Sequence, residues 1–309
     1  MNGRIHDDEV DTSEPVVRAL LAAQQPAWAD HDLVLLGGTG TSNALWRVDA
    51  DGTPTGVVRL PRTPGAEQSI RTEHALLPFL ARTDLPLRGP ALSHAGEPTS
   101  DFPLRWAATD WIAGTDAWAA RAQVDAAGPA MTSAIAQAVR AISAIDGAPV
   151  AARKPGRRGG PLEHLLAVLD RWLGDPDLSA AERLPIGPIR RLAAEAAELI
   201  GEPVPTVFLH GDLIPGNLLV ADSRITAVLD WGGAGFGDRA DDLVAAWAVL
   251  DAPARSVFRT DLDVDDATWI RARTFALEQA VGGVLYYGPR RHPLGDVMAR
   301  TLDRIVAEA

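Results

Sequence analysis

The stretch TVFLHGDLIPGNLLV, residues 206–220, places a histidine, an aspartate and an asparagine within eight positions, directly after a short apolar run. The apolar run predicts a buried strand, and His210 and Asp212 then follow at the end of that strand. Asn217 comes five residues after Asp212. The next segment, LLVADSRITAVLDW, predicts two strands that are joined by a polar turn and end on Asp230.

The spacing of Asp212, Asn217 and Asp230 matches a protein-kinase pattern. In that pattern an aspartate accepts the proton of the substrate hydroxyl, an asparagine five residues later binds Mg²⁺, and a second metal-binding aspartate opens a DxG triplet. A phosphoryl group in transfer spreads negative charge over its oxygens, and Mg²⁺ neutralises that charge through oxygen ligands such as carboxylates and amides. The pattern therefore predicts Asp212 as the catalytic base and Asn217 and Asp230 as ligands of Mg²⁺.

A simpler interpretation applies to each of these residues alone. Asp and Asn often form Asx turns, so any one of the three could merely shape a loop. The complete set at kinase intervals, framed by apolar strands, favours the phosphoryl-transfer site. His210 is interpreted as fixing the loop, because Asp212 already fills the role of base.

The longer segment LHGDLIPGNLLV...ITAVLDWGGAGFGDRADDLVAAW resembles the signature of the aminoglycoside phosphotransferase-like family. These are small-molecule kinases with a two-lobed protein-kinase fold, and the family pattern runs HGD, GN, an Asp-aromatic element and GDPxxDL. Arg239 stands where the family usually has proline. The resemblance implies that Asp212 is the catalytic aspartate, that Asn217 and Asp230 bind magnesium, and that Asp238 braces the catalytic loop, residues 210–217.

Two acidic positions of the family pattern, Asp238 and Asp242, precede a predicted helix. That helix carries an apolar stripe, and acidic residues favour helix starts, so both are interpreted as structural.

The pattern along the chain predicts an α+β fold with two lobes. Strands are expected in 33–48 and 55–61 and a helix at 66–82, whereas helical spacing dominates from about residue 115. The family resemblance implies a protein-kinase-like arrangement. We expect a strand-rich nucleotide-binding lobe at 1–112 and a mainly helical lobe at 113–309, which holds the catalytic loop and an acceptor pocket built around 269–288.

The N-terminal lobe contains the segment GGTGTSN, residues 37–43, which alone favours a plain hairpin turn. Because it precedes a strand with Arg59 and a helix with Glu73, it resembles the family's nucleotide-covering loop, and we expect Thr41, Ser42 and Asn43 to bind nucleotide. Kinases generally place a lysine on the third strand, paired with the helix glutamate. Arg59 replaces that lysine here in the sequence RLPR, which resembles macrolide kinases, and arginine keeps the charge.

Two further segments are interpreted, the first from the family resemblance and the second from its composition. TDWIAG, residues 109–114, corresponds by resemblance to the hinge between lobes, where adenine or guanine would contact the backbone of Asp110 and Ile112; a simple linker is the alternative. RKPGRRGG, residues 153–160, has four basic residues and favours a solvated surface loop over a phosphate-binding patch, so it is assigned no role.

The composition limits the chemistry and the partners. The 309 residues include no cysteine, which excludes disulfides, thiolate metal sites and cysteine nucleophiles. A formal net charge of -12 disfavours nucleic acid and anionic membranes as partners. The first residues lack the features of a secretory signal, and no apolar run approaches the roughly 20 residues that span a bilayer, so a cytoplasmic location is expected.

These observations favour one function and leave two alternatives. The leading hypothesis is an O-phosphotransferase that uses Mg²⁺ and moves the γ-phosphate of ATP or GTP to a hydroxyl of an antibiotic, an aminoglycoside, macrolide or similar, giving resistance. A metabolic kinase of a small molecule such as choline, homoserine or a sugar is the second hypothesis. The third is a nucleotide-binding pseudokinase, which the intact set of Asp212, Asn217 and Asp230 disfavours.

Overall fold

The structure is a computed structural model that describes residues 5–6, 8–152, 158–175 and 184–309. The chain divides into two compact units. The first contains the described residues up to Asp84 together with Arg88–Ala113, and the second contains Leu85–Leu87 and the described residues of Gly114–Ala309. The division at Ala113 lies one residue from the boundary expected from the sequence.

A five-stranded antiparallel sheet forms the centre of the first unit, in the strand order β1-β2-β3-β5-β4. β2 and β3 are joined by Asp51 and Gly52, which both have positive φ, as a two-residue hairpin turn requires. The elements of this unit are α1 (Glu14–Gln24), β1 (Asp32–Leu35), β2 (Asn43–Ala50), β3 (Thr53–Pro61), α2 (Glu67–Leu80), β4 (Leu92–Gly96) and β5 (Trp106–Asp110).

The helices α1 and α2 of this unit bury apolar side chains. The apolar side of α1, with Leu20 and Leu21, packs into a core with Trp46 and Val58 of the sheet and the fully buried Trp106. α2 buries the apolar positions that its helical spacing predicts, together with one charged residue: Ile70, Glu73, Leu76, Leu77 and Leu80.

The second unit is mainly helical, which confirms the predicted α+β class. Its helices are α3 (Arg121–Ala127), α4 (Pro129–Ser143), α5 (Leu162–Gly174), α6 (Ile186–Ala197), α7 (Ala245–Ala248), α8 (Ala252–Asp261), α9 (Asp266–Tyr287) and α10 (Pro293–Val306). α6 ends at Ala197 and is capped by Glu198. No helix in the described ranges is long and apolar enough to cross a bilayer.

Two small antiparallel sheets carry the candidate site of the second unit. The first pairs β7 (Thr206–Leu209) with β10 (Gly235–Asp238), and the second has the order β6-β8-β9, with β6 (Thr115–Asp116), β8 (Leu218–Ala221) and β9 (Arg224–Val228). β8 and β9 are joined by Asp222 and Ser223, both with positive φ. The catalytic loop therefore runs from the end of β7 to the start of β8.

Candidate active site

His210 lies directly after β7 and is fully buried. The backbone N–H of Asp212 donates to His210 Nδ1 at 3.2 Å, so that nitrogen is the acceptor and Nε2 carries the proton that it donates to the carbonyl of Leu229 at 3.0 Å. The ring also packs edge-on against Trp231, with 4.7 Å between ring centroids. His210 therefore connects the catalytic loop to Leu229 and Trp231, the residues on either side of Asp230. This agrees with the loop-fixing role expected from the sequence.

The carboxylate of Asp212 accepts hydrogen bonds on both oxygens. Asn217 Nδ2 donates to Oδ2 and to the Asp212 carbonyl, at 2.9 Å each. Gln279 Nε2 of α9 donates to Oδ1 at 2.9 Å, and Arg158 Nη2 lies 3.3 Å from the same oxygen. The side chain of Asp212 is still 31% exposed, so a ligand can reach it.

Asn217 and Asp230 lie at the same end of the β8–β9 hairpin. The Leu229 N–H donates to the carbonyl of Asn217 at 2.8 Å, which sets the residue before Asp230 opposite Asn217. Asp230 has left-handed backbone angles, φ 59° and ψ 69°, a conformation that is uncommon outside glycine and recurs at functional sites.

These two residues fit the ligand chemistry of magnesium. The amide nitrogen of Asn217 is bonded to Asp212, which leaves the amide oxygen for a cation, and Asp230 supplies a carboxylate. Within the described residues there is no cluster of three or more His, Asp or Glu side chains suited to a metal. Mg²⁺ in phosphoryl-transfer sites usually takes only one or two protein ligands, with phosphate oxygens and waters completing its shell.

Asp242 braces the catalytic loop by bonding its backbone. Its fully buried carboxylate accepts the backbone N–H of His210 at 2.8 Å and that of Gly211 at 2.7 Å. Gly211 has φ 82°, a left-handed conformation that glycine adopts without a steric penalty.

The family resemblance implies this bracing role for Asp238, and that expectation is wrong. Asp238 accepts Arg271 Nε of α9 at 2.7 Å and the N–H of Ala240 at 3.0 Å, so it anchors α9 and starts the helical turn after β10. The expected apolar helix after it begins as a tight helical turn at 239–244, and this geometry turns Asp242 back toward the loop.

The sequence pattern favours a surface loop without a role for Arg158, but the structure brings this side chain to the catalytic loop. Residues 153–157 of that loop lie outside the described residues, but Arg158 contacts the Gly211 carbonyl and Asp212, and its Nε lies 3.5 Å from Asp241. Burial lowers the pKa of Arg158, but the charges of Asp241, Asp212 and Glu278 outweigh it and raise the pKa above the ordinary value. Neither its position nor its neighbours in the sequence indicate this contact, which joins segments more than 50 residues apart.

Glu278 is a further ionisable group that interacts with the charges of Arg158 and Asp241. Burial raises its pKa, the positive charge of Arg158 partly offsets that rise, and Asp241 adds to it. The neighbouring Gln279 lies in the stretch that the sequence suggested for the acceptor pocket, although no individual residue of that stretch was singled out.

The residues expected to bind nucleotide lie in the first unit. Arg59 Nη1 of β3 and Glu73 Oε1 of α2 form a buried ion pair at 2.5 Å between a strand and a helix, as the Lys–Glu pair of protein kinases does. Thr41 and Ser42 lie in the loop between β1 and β2, and Asn43 is buried at the start of β2.

The expected hinge residues follow β5. The side chain of Asp110 accepts the Ala91 N–H at 2.7 Å and pairs with Arg88, so it is used within the unit. Ile112 is buried, and its backbone N–H makes no hydrogen bond to the residues that the structure describes. The residues expected to bind nucleotide stay predictions.

The chain was compared with models of protein families and with known proteins. Residues 34–276 match the model of the phosphotransferase enzyme family APH. No curated protein sequence matches the chain significantly.

Solved structures of similar fold cover nearly the whole chain. The GDP complex of wild-type aminoglycoside 2'-phosphotransferase-IIIa has a TM-score of 0.75 and 17% identity, over 96% of this chain and 99% of that one. The macrolide 2'-phosphotransferase MphH of Brachybacterium faecium has a TM-score of 0.61 and 22% identity, over 94% and 97%. The streptomycin-ATP-APH(2")-IIa complex has a TM-score of 0.58 and 15% identity, over 94% and 99%. At these identities the likeness establishes a shared fold.

Proposed function

Because the chain belongs to the phosphotransferase enzyme family and is a kinase, we propose that it transfers the γ-phosphate of ATP or GTP to a hydroxyl group of an antibiotic such as an aminoglycoside or a macrolide. The observation that carries the proposal is the hydrogen bonding of Asn217 to Asp212 at 2.9 Å, with Asp230 at the same end of the hairpin. Phosphoryl transfer to a hydroxyl requires a base that the acceptor can reach and oxygen ligands for Mg²⁺. The partly exposed Asp212 would be that base, and Asn217 and Asp230 would supply those ligands.

Asp212 has the role of base in this mechanism. Its carboxylate orients the acceptor hydroxyl and receives the hydroxyl proton, while the acceptor oxygen bonds to the γ-phosphorus and the bond from that phosphorus to the leaving nucleoside diphosphate breaks. The hydrogen bonds from Asn217 and Gln279 hold the carboxylate in one orientation for this task.

Asn217 and Asp230 are proposed to hold the magnesium ion. Bound Mg²⁺ would supply positive charge to the phosphate oxygens. His210 and Asp242 keep the loop in place, since they bond respectively to the Leu229 carbonyl and to the loop's own backbone N–H groups.

The first unit is proposed to bind the nucleotide. Arg59, oriented by Glu73, has the charge and the forked geometry to bind phosphate oxygens. Thr41, Ser42 and Asn43 would cover the phosphates. The backbone of Asp110 and Ile112 would meet the base.

The acceptor is best identified with a panel assay. Purified protein is given MgATP or MgGTP with kanamycin, gentamicin, streptomycin, several macrolides, choline, homoserine and simple sugars, and nucleotide consumption is followed together with the mass of the product. We expect phosphorylation of an antibiotic, with a mass gain of one phosphate group and a large loss of rate in Asp212→Ala.

Two results separate the alternatives. Efficient turnover of choline, homoserine or a sugar, with no antibiotic modified, would replace the antibiotic by a metabolite as acceptor. Antibiotic phosphorylation that Asp212→Ala leaves at the wild-type rate would instead refute the assignment of the base.

A further inference from the structure

The catalytic loop contains no cationic side chain of its own. Leu213, Ile214, Pro215 and Gly216 fill the positions between the proposed base and the proposed metal ligand. The positive charge beside Asp212 comes instead from Arg158, which lies 54 residues earlier in the chain.

The segment that carries Arg158 is anchored to β10 on both sides. Before it, Ala152 forms a parallel bridge with Phe236, and after it the Asp238 N–H donates to the Gly159 carbonyl at 2.8 Å. Gly159 has φ 72°, and a β-carbon there would lie 3.2 Å from an Asp241 oxygen and 3.0 Å from Leu209 Cδ1. Glycine at this position therefore allows the backbone to pass close to β7 and to Asp241.

Asp241 is a second carboxylate beside the guanidinium of Arg158, with one oxygen 3.5 Å from Nε. The Asp241 side chain is only 1% exposed, and a buried carboxylate is costly without a positive partner. The Arg158 side chain is 21% exposed, which distinguishes it from a freely solvated arginine. One guanidinium thus joins a buried carboxylate to the Asp212 carboxylate and to the Gly211 carbonyl.

We propose that Arg158 is a positioning residue for the transfer reaction: anchored by Asp241, it fixes the orientation of the Asp212 carboxylate toward the acceptor hydroxyl. Gln279 binds the same carboxylate oxygen as a neutral donor, and Arg158 adds a charged one. Arginine suits this role because its planar, permanently charged fork can bond two groups at once. The inference rests on the proposed role of Asp212 as base.

The test is a double-mutant cycle of Arg158→Ala and Asp212→Ala, with MgATP and MgGTP as donors. Kanamycin serves as the acceptor, and water serves as the reference acceptor. If kanamycin is not phosphorylated, the rates of nucleotide hydrolysis by the variants are compared instead. In the wild-type background, Arg158→Ala should lower kcat by about 10²-fold, the size expected when a reacting group is misplaced by about 1 Å. The nucleotide KM should change by less than about 3-fold, since the positioning effect lies in the transfer step.

Two further variants separate positioning from a purely structural role. Arg158→Lys keeps one charged donor and should recover part of the lost kcat. Arg300→Ala removes an arginine of similar exposure, 30%, whose partner Asp125 lies 2.6 Å away on α3, and should leave kcat unchanged. Melting temperatures of all variants show whether any loss of kcat accompanies loss of the fold.

The cycle also distinguishes failure of this inference from failure of the proposed base. If Asp212→Ala keeps wild-type activity, the base assignment fails and this inference fails with it. If Asp212→Ala is impaired but Arg158→Ala matches the wild type, only the inference is overturned. It is also overturned if Arg158→Ala lowers kcat as much with Ala at 212 as with Asp, because Arg158 then does not act through Asp212.

Discussion

Removing the Asp242 carboxylate should loosen the catalytic loop and destabilise the second unit. In Asp242→Ala the N–H groups of His210 and Gly211 lose a charged acceptor at 2.8 and 2.7 Å and stay buried. Each hydrogen bond to a charged group contributes about 1.5–3 kcal/mol. Release of a buried charge offsets part of the sum, so we expect a loss of about 3–5 kcal/mol in the free energy of unfolding.

The same substitution should slow catalysis. The backbone of 210–212 sets the position of Asp212, and a displacement of about 1 Å at a reacting group costs about 10²-fold in rate. Asp242→Asn keeps one oxygen that can accept a backbone N–H, but its amide NH₂ faces the other N–H. We expect it to lose about half as much unfolding free energy as Asp242→Ala, so that kinetics can be measured on a variant that still folds.

Urea unfolding followed by circular dichroism and steady-state kinetics would measure both effects. Asp251→Ala is the matched control, because the Asp251 carboxylate also accepts a backbone N–H, that of Ala254 at 2.9 Å, at the start of α8. The control should lose about 1 kcal/mol, as is usual for a helix cap, and keep kcat. Stability and kcat of Asp242→Ala equal to those of the control would refute the bracing role.

Four further predictions address the rest of the site. Asp212→Ala should lower kcat by about 10² to 10⁴-fold with nucleotide affinity nearly unchanged, as steady-state kinetics and calorimetry would measure; full activity would contradict its role as base. Asp230→Ala should weaken nucleotide binding in the presence of Mg²⁺ but not in its absence, and calorimetry that finds the same Mg²⁺ dependence as the wild type would contradict its role as ligand. Glu73→Ala leaves Arg59 as a buried charge without its carboxylate partner, so urea unfolding should detect a loss of about 3–5 kcal/mol and kinetics a raised nucleotide KM; wild-type values of both would argue against the pair. The pKa of Glu278 is raised above its ordinary value of 4.5, so its contribution to stability is complete below that value and is lost as the pH rises through the raised pKa. In urea unfolding, Glu278→Gln should therefore gain stability relative to the wild type as the pH rises from below 4.5 through the raised pKa, and a constant difference would contradict the burial of this charge.

Local chemistry in the sequence was sufficient to predict the elements and the catalytic loop. Strand and helix periods are properties of neighbouring residues, so the apolar spacing of α2 and the strand before His210 could be read directly. The interval from Asp212 to Asn217 spans one short turn, and the local backbone sets their contact. The family resemblance rested on that loop and the segment that follows it, and the match over residues 34–276 confirms it.

The residues that surround Asp212 were decided by the tertiary structure. Arg158 and Gln279 reach its carboxylate from segments 54 residues before and 67 residues after it, and no local pattern encodes such a contact. The choice between Asp238 and Asp242 as the brace depended on the tight helical turn after β10, which turns the second carboxylate toward the loop. The sequence by itself determined the fold class and the spacing of Asp212, Asn217 and Asp230, because both follow from local patterns. Only the folded chain decided which polar and charged groups meet at Asp212, because that depends on how distant segments pack.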